Sequence, residues 1–192
     1  MERGWQTTAP YYKAVVDNGR VRPVKENKLR KKVQSTDAND LLIADLPPIL
    51  FLVEGMVSQG LGGLSAKSKL GKSWLALQLA VALVSGNKFL GFTTKACGVL
   101  YIDLENAPSL TQDRLRKILD GRDIPSNRLY FWHDANPMRE GFEDDLIIFL
   151  NEHPNVKLVI IDVFQKVKKG KKQTQTDYEA DYEILTALKQ MP

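Results

Sequence analysis

Residues 60–73 read Gly-Leu-Gly-Gly-Leu-Ser-Ala-Lys-Ser-Lys-Leu-Gly-Lys-Ser and run straight into the apolar stretch Trp74-Leu75-Ala76-Leu77-Gln78-Leu79. A short apolar segment, a loop ending in Gly-Lys-Ser and a following helix together make a phosphate-binding loop. Its backbone N–H groups converge at the positive end of the helix, where an anion is welcome. Ala66, Lys67, Ser68, Lys69, Leu70, Gly71, Lys72, Ser73 and Trp74 are thus the expected nucleotide-binding stretch. Lys72 would reach the β- and γ-phosphates, and the Ser73 hydroxyl would ligate Mg²⁺. The usual pattern G-x-x-x-x-G-K-[ST] carries a glycine where this chain has Ala66. Alanine serves there only if the backbone keeps a negative φ.

Working outward, Leu61 to Ser65 is expected to be the strand that feeds the loop, and Ile49 to Val53 an earlier short strand after the break at Pro47-Pro48. The helix after the loop should run from about Lys72 to Ser85 and stop at Gly86-Asn87. Its apolar residues leave little polar surface, so it should be buried against a sheet. Downstream, Gly98 to Glu105 reads as a central strand, and Ser109 to Gln112 has the spacing of a capping box for a helix closing near Asp120-Gly121. Arg128 to His133 is a third strand, and Phe142 to His153 a helix with Phe142, Leu146, Ile147 and Leu150 on one face. Lys157 to Asp162 is a further strand, apolar until its terminal acid, as a strand buried in a parallel sheet reads. A helix opening at Thr176 would reach the last residues. The alternation of strand and helix predicts an α/β fold with a mostly parallel sheet.

Composition bounds the rest. The chain has 192 residues, 43% hydrophobic and 26% charged, which suits one α/β core and not two. The single Cys97 forms no internal disulfide, no signal peptide opens the chain, and a cytoplasmic location with no membrane span is expected. Residues 1–40 carry nine Lys/Arg against five Asp/Glu, which equals the net charge of +4 for the whole chain. This segment lacks periodicity and is expected to be a basic, flexible N-terminal stretch preceding a core over residues 41–192. Trp5, Tyr11 and Tyr12 among its basic residues could stack on single-stranded nucleic acid, and a solvated linker has the same composition.

Ligands of parallel sheets sit beyond the carboxyl ends of the strands, so Asp162 would lie beside Ser73 and could hold Mg²⁺ through water. Asp103 and Glu105, two apart on one strand, would share a face, and either could polarise the attacking water. Lys166, Lys168, Lys169, Lys171 and Lys172 put five lysines within seven residues after the Asp162 strand, a set able to neutralise nucleic-acid phosphates or merely to be solvated. His133 and His153 lack metal-ligand spacing and suit structural roles.

The segments LPPILFLVEGMVSQGLGGLSAKSKLGKSWLALQLA, GVLYIDLENAPSLTQDRL, VKLVIIDVFQKV and DYEADYEILTAL, in that order, resemble the RecA-like ATPases of the RepA type, the replicative-helicase ATPases of plasmids and phages. The resemblance covers about residue 41 to the C-terminus. It implies a RecA-like core that forms rings, binds ATP and Mg²⁺ between subunits, and couples hydrolysis to movement on single-stranded DNA. On it, Lys72 and Ser73 are the phosphate and Mg²⁺ residues, Glu105 the catalytic carboxylate, Asp162 the second acidic motif, and Lys168, Lys169, Lys171 and Lys172 fall where DNA-contacting loops occur. The family continues past the last helix into strands with a sensor histidine region and an arginine finger, so the resemblance leads us to expect a core truncated at its C-terminal end, with an open sheet edge. Two alternatives keep the loop but change the activity: a nucleotide-binding module without turnover, and a small-molecule phosphotransferase.

Overall fold

The computed structural model describes residues 35–168, together with the backbone of two short strands at residues 14–17 and 20–23. The chain divides into two units, Met1–Pro47 and Pro48–Pro192. In the first unit, β1 (Ala14–Asp17) and β2 (Arg20–Pro23) pair as an antiparallel ladder, and α1 (Ala38–Ile43) forms a six-residue helix. The Asp37 carboxylate accepts from the Asn39 backbone N–H and caps α1. No period of two or of 3.6 marks these residues in the sequence, and the ladder rests on their backbone pairing alone.

In the second unit, β3 (Phe51–Val53) and β4 (Val57–Ser58) form a small antiparallel hairpin, so the first expected strand exists but stands apart from the main sheet. The chain then enters α2 (Lys72–Ser85), β5 (Gly98–Asp103), α3 (Pro108–Leu119), β6 (Leu129–Trp132), α4 (Phe142–Glu152), β7 (Val156–Asp162) and the short α5 (Phe164–Val167). Gly86 ends α2 in the left-handed conformation, and the Asn87 N–H donates to the Ala82 carbonyl across the cap.

The strand order is β6-β5-β7, all parallel, with β5 in the middle. All six residues of β5 are buried. Because successive side chains on a strand point to opposite faces, β5 divides the core in two. Val99 and Tyr101 pack with Leu77, Ala80, Leu83 and Val84 of α2 and with Leu115 and Ile118 of α3. Leu100 and Ile102 pack on the other face with Phe142 and Leu146 of α4 and with Met138 and Val167. Flanking strands obey the same alternation: Leu158 and Ile160 join the first cluster, Val159 and Ile161 the second. The β5-to-β6 and β6-to-β7 connections run in opposite directions across the sheet, and right-handed crossovers then require helices on both faces.

Three expectations fail for physical reasons. Leu61 to Ser65 forms no strand, and every residue from Ser58 to Gly71 is exposed. Leu61 and Leu64 are three apart and would point to opposite faces of a strand, while Gly60, Gly62 and Gly63 contribute nothing to bury and cost about 0.5–1 kcal/mol each in chain entropy. As a result β7 pairs only with β5, lies at the edge of the described sheet, and leaves Val159, Ile160 and Ile161 half-buried where full burial was expected. The helix over 108–119 starts on Pro108 with Ala107 as a cap that makes no side-chain bond, so Ser109 closes no capping box. On α4, Phe149 turns inward and Ile147 does not.

Gly98 opens β5 against Asn155: a Cβ there would lie 2.9 Å from Asn155 Nδ2 and 3.0 Å from its carbonyl oxygen. Gly98→Ala is expected to lower stability by about 1–3 kcal/mol, read from the denaturant midpoint, because the Asn155 backbone must give way as well as its side-chain tip. Burial also pushes the Cys97 thiol up, with Arg128 and Lys157 opposing more weakly. Its alkylation at pH 8 should therefore be slow in the native protein and at least tenfold faster in denaturant, followed by mass spectrometry.

Candidate functional site

The carboxyl ends of β5 and β7 and the start of α2 meet at one rim. The loop before α2 is closed by its own lysine: the Lys72 ammonium donates to the Ala66 carbonyl at 2.8 Å and to the Lys67 carbonyl at 3.0 Å. Ala66 is not among the residues with positive φ, so the alanine meets the condition its position imposes. The loop's left-handed residues are Lys69, at φ 65°, and Gly71, at φ 81°. Gly71 caps α2 with no side-chain bond, and its own carbonyl accepts from Leu75 N–H. Among the described residues, no hydrogen bond satisfies the first N–H groups of α2, which leaves donors and the positive helix end free for an anion.

Ser73 and Asp162 come together through a residue that the sequence reading passed over. The Tyr101 hydroxyl donates to Asp162 Oδ2 at 2.8 Å and lies 3.4 Å from the Ser73 carbonyl oxygen. One proton serves one bond well, and the shorter, charge-assisted bond to the carboxylate is the stronger. Burial first, and then the facing carboxylate of Asp162, push the Tyr101 phenol well above its ordinary value, so the hydroxyl is a donor at neutral pH. The signal was present in the alternation of β5, which puts Tyr101 on the α2 face with Asp103.

Structure also separates the two acids that the sequence left together. Asp103 is 2% exposed and is the last residue of β5. Its Oδ1 accepts from the Asn106 backbone N–H at 3.1 Å and side-chain amide at 2.9 Å, and its Oδ2 from the Thr111 hydroxyl at 2.5 Å. A buried carboxylate needs such donors, and these commit it to tying the strand end to α3. Glu105 lies beyond the end of β5, so strand alternation does not reach it and the two acids do not share a strand face. Its carboxylate is exposed and has no hydrogen-bond partner among the described residues.

Trp74 is half-buried in the first turn of α2, with the Arg114 guanidinium 5.8 Å from its ring centroid, a cation–π distance. His133 and His153 sit in ring contacts with Phe131, Tyr130 and Phe149, and no group of three or more metal-ligating side chains occurs among the described residues. Lys166 and Lys168 follow β7 at the same rim, while Lys169, Lys171, Lys172, the helix expected from Thr176, and Trp5, Tyr11 and Tyr12 lie outside the described residues.

A family model described as an AAA domain matches residues 26–191. The chain belongs to that family of phosphate-loop ATPases. Membership accounts for the α/β architecture and for the loop as a nucleotide-binding element, and it suggests ATP hydrolysis in general terms. No curated protein matches the chain significantly. No described helix of this AAA-domain protein is long and apolar enough to cross a membrane.

The two acids differ in what their loss should do. Asp103→Asn is expected to cost about 1–3 kcal/mol of stability, since a donor amide would replace half of a buried acceptor pair. Glu105→Gln should leave the denaturant midpoint within about 0.5 kcal/mol of the parent, as exposed positions do.

Proposed function

We propose that this AAA-domain protein binds ATP with Mg²⁺ at the 66–74 loop and hydrolyses it, as an ATPase of the DNA-helicase class whose turnover is coupled to single-stranded DNA. The observation that carries this reading is the convergence of Ser73 and Asp162 on the Tyr101 hydroxyl beside a loop closed by Lys72. The donor chemistry suits Mg²⁺: the Ser73 hydroxyl and the second oxygen of Asp162 are hard oxygen ligands without hydrogen-bond partners among the described residues. One carboxylate and one hydroxyl suffice for this ion, which draws its remaining ligands from phosphate and water. When bound, it would neutralise charge on the β- and γ-phosphates.

The chain's own residues then divide the work. An arriving triphosphate takes the Lys72 ammonium from the Ala66 and Lys67 carbonyls, exchanging two neutral acceptors for an anion, and accepts from the free N–H groups at the start of α2. Glu105, exposed and unpaired, accepts a proton from the attacking water as its oxygen bonds to the γ-phosphorus and the bond to the ADP oxygen breaks. Helicase-class coupling is supported by the ordered resemblance of four segments and by Lys166 and Lys168 at the rim, where a polyanion would be attracted. Ring assembly of the complete protein belongs to the same reading. A second reading, binding without turnover, is favoured by the exposure of the whole 58–71 stretch and by the edge position of β7 in the described sheet.

Lys72→Ala is expected to weaken ATP binding at least tenfold by calorimetry, and unchanged binding would refute the site. Glu105→Gln should preserve binding and lower turnover by about 10²–10⁴. ATP hydrolysis assayed with and without single-stranded DNA separates the readings: stimulation supports the helicase class, and zero turnover by the intact parent leaves the binding module.

A further inference from the structure

We propose that Tyr101 is a positioning residue for the metal-binding acid, its hydroxyl holding the Asp162 carboxylate in the orientation that leaves one oxygen facing Ser73 and the phosphate loop. This deepens the Mg²⁺–ATP reading and rests on it.

Asp162 is the last residue of β7, and β7 pairs on one side only within the described sheet, so nothing from a neighbouring strand on its other side orients the tip. A carboxylate at such a tip has rotational freedom about its terminal torsion, which is broad and two-fold. The Tyr101 hydroxyl removes it. Tyr101 sits two residues before the end of β5, in register with Ile160, two residues before Asp162. Its side chain therefore reaches diagonally toward the neighbouring strand's tip, on the face that carries α2. The ring is anchored there, 2% exposed and tilted against Phe131 at 5.8 Å between centroids. With Oδ2 occupied at 2.8 Å, the second carboxylate oxygen is the one left to hold a metal-bound water. The same hydroxyl lies 3.4 Å from the Ser73 carbonyl, which places the residue whose own hydroxyl would complete the metal site against the tyrosine that orients the acid. An outer residue of this kind tunes a metal site as strongly as some direct ligands do.

The test is calorimetric titration of ATP into the full chain at stepped MgCl₂ concentrations and in EDTA. In Tyr101→Phe, which keeps the ring and its packing, ATP affinity in EDTA should stay within twofold of the parent. The Mg²⁺ concentration that gives half of the metal-dependent tightening should rise about tenfold, the size expected for one hydrogen bond to a charged acceptor. Asp162→Asn should abolish the tightening, and adding Tyr101→Phe to it should change nothing further. An unchanged Mg²⁺ dependence in Tyr101→Phe, an equal loss of ATP affinity in EDTA, or an additive loss in the double variant would each overturn the positioning role. A parent chain that binds no ATP with or without Mg²⁺ refutes the underlying reading, and is seen before any variant is made.

Discussion

Everything at the rim follows from the period-two alternation of a fully buried β5. Val99, Tyr101 and Asp103 face α2 and α3, while Leu100 and Ile102 face α4. The phosphate loop leads into α2, so only one face of the central strand can serve it. That face carries a phenol and a carboxylate, each desolvated and each therefore obliged to find a hydrogen-bond partner. Tyr101 finds the acid at the tip of β7, and Asp103 finds the first turn of α3. One constraint thus joins three elements at the place where a ligand of a parallel sheet belongs.

The two acids on either side of the end of β5 show how burial assigns roles. Asp103 and Glu105 are alike in charge and two residues apart, and the chain ends its strand between them. The one inside becomes an anchor, with three donors on its two oxygens. The one outside keeps its lone pairs for solvent or substrate. An anchor of that kind keeps the Glu105 loop attached to both β5 and α3, so the exposed acid is presented from a braced turn.

The phosphate loop is exposed, and it is closed by Lys72 holding the Ala66 and Lys67 carbonyls. A lysine that bonds its own loop shapes the cradle before any ligand arrives, and gives up only neutral acceptors when an anion takes their place. The outer edge of β7 is unpaired in the described sheet, and its Val159, Ile160 and Ile161 are half-buried. Membership of the AAA-domain family explains the loop and the sheet, and the local bonds explain how the loop is held.

Much of this was legible in the residues because it depends on short-range chemistry. Gly-Lys-Ser before an apolar helix, Gly86 at its end, and apolar runs closing on Asp103 and Asp162 are local patterns with local causes, and α2, β5, β6 and β7 fall within a residue or two of where those patterns put them. The failures lie where a neighbour decides. Leu61 to Ser65 needed a partner strand and a common face that its leucines do not share, and the capping box at Ser109 lost to Pro108, which starts α3 one residue earlier with Ala107 as its cap. Sequence by itself determined the chemistry available at the rim: a lysine, a serine and carboxylates in the order of a phosphate-loop ATPase. Tertiary structure alone decided that Asp103 is committed to α3 while Glu105 stays exposed, and that a tyrosine on the middle strand holds Asp162. Hydrogen-bond partners are chosen by proximity in space, and residues 101 and 162 are neighbours only once β5 and β7 have paired.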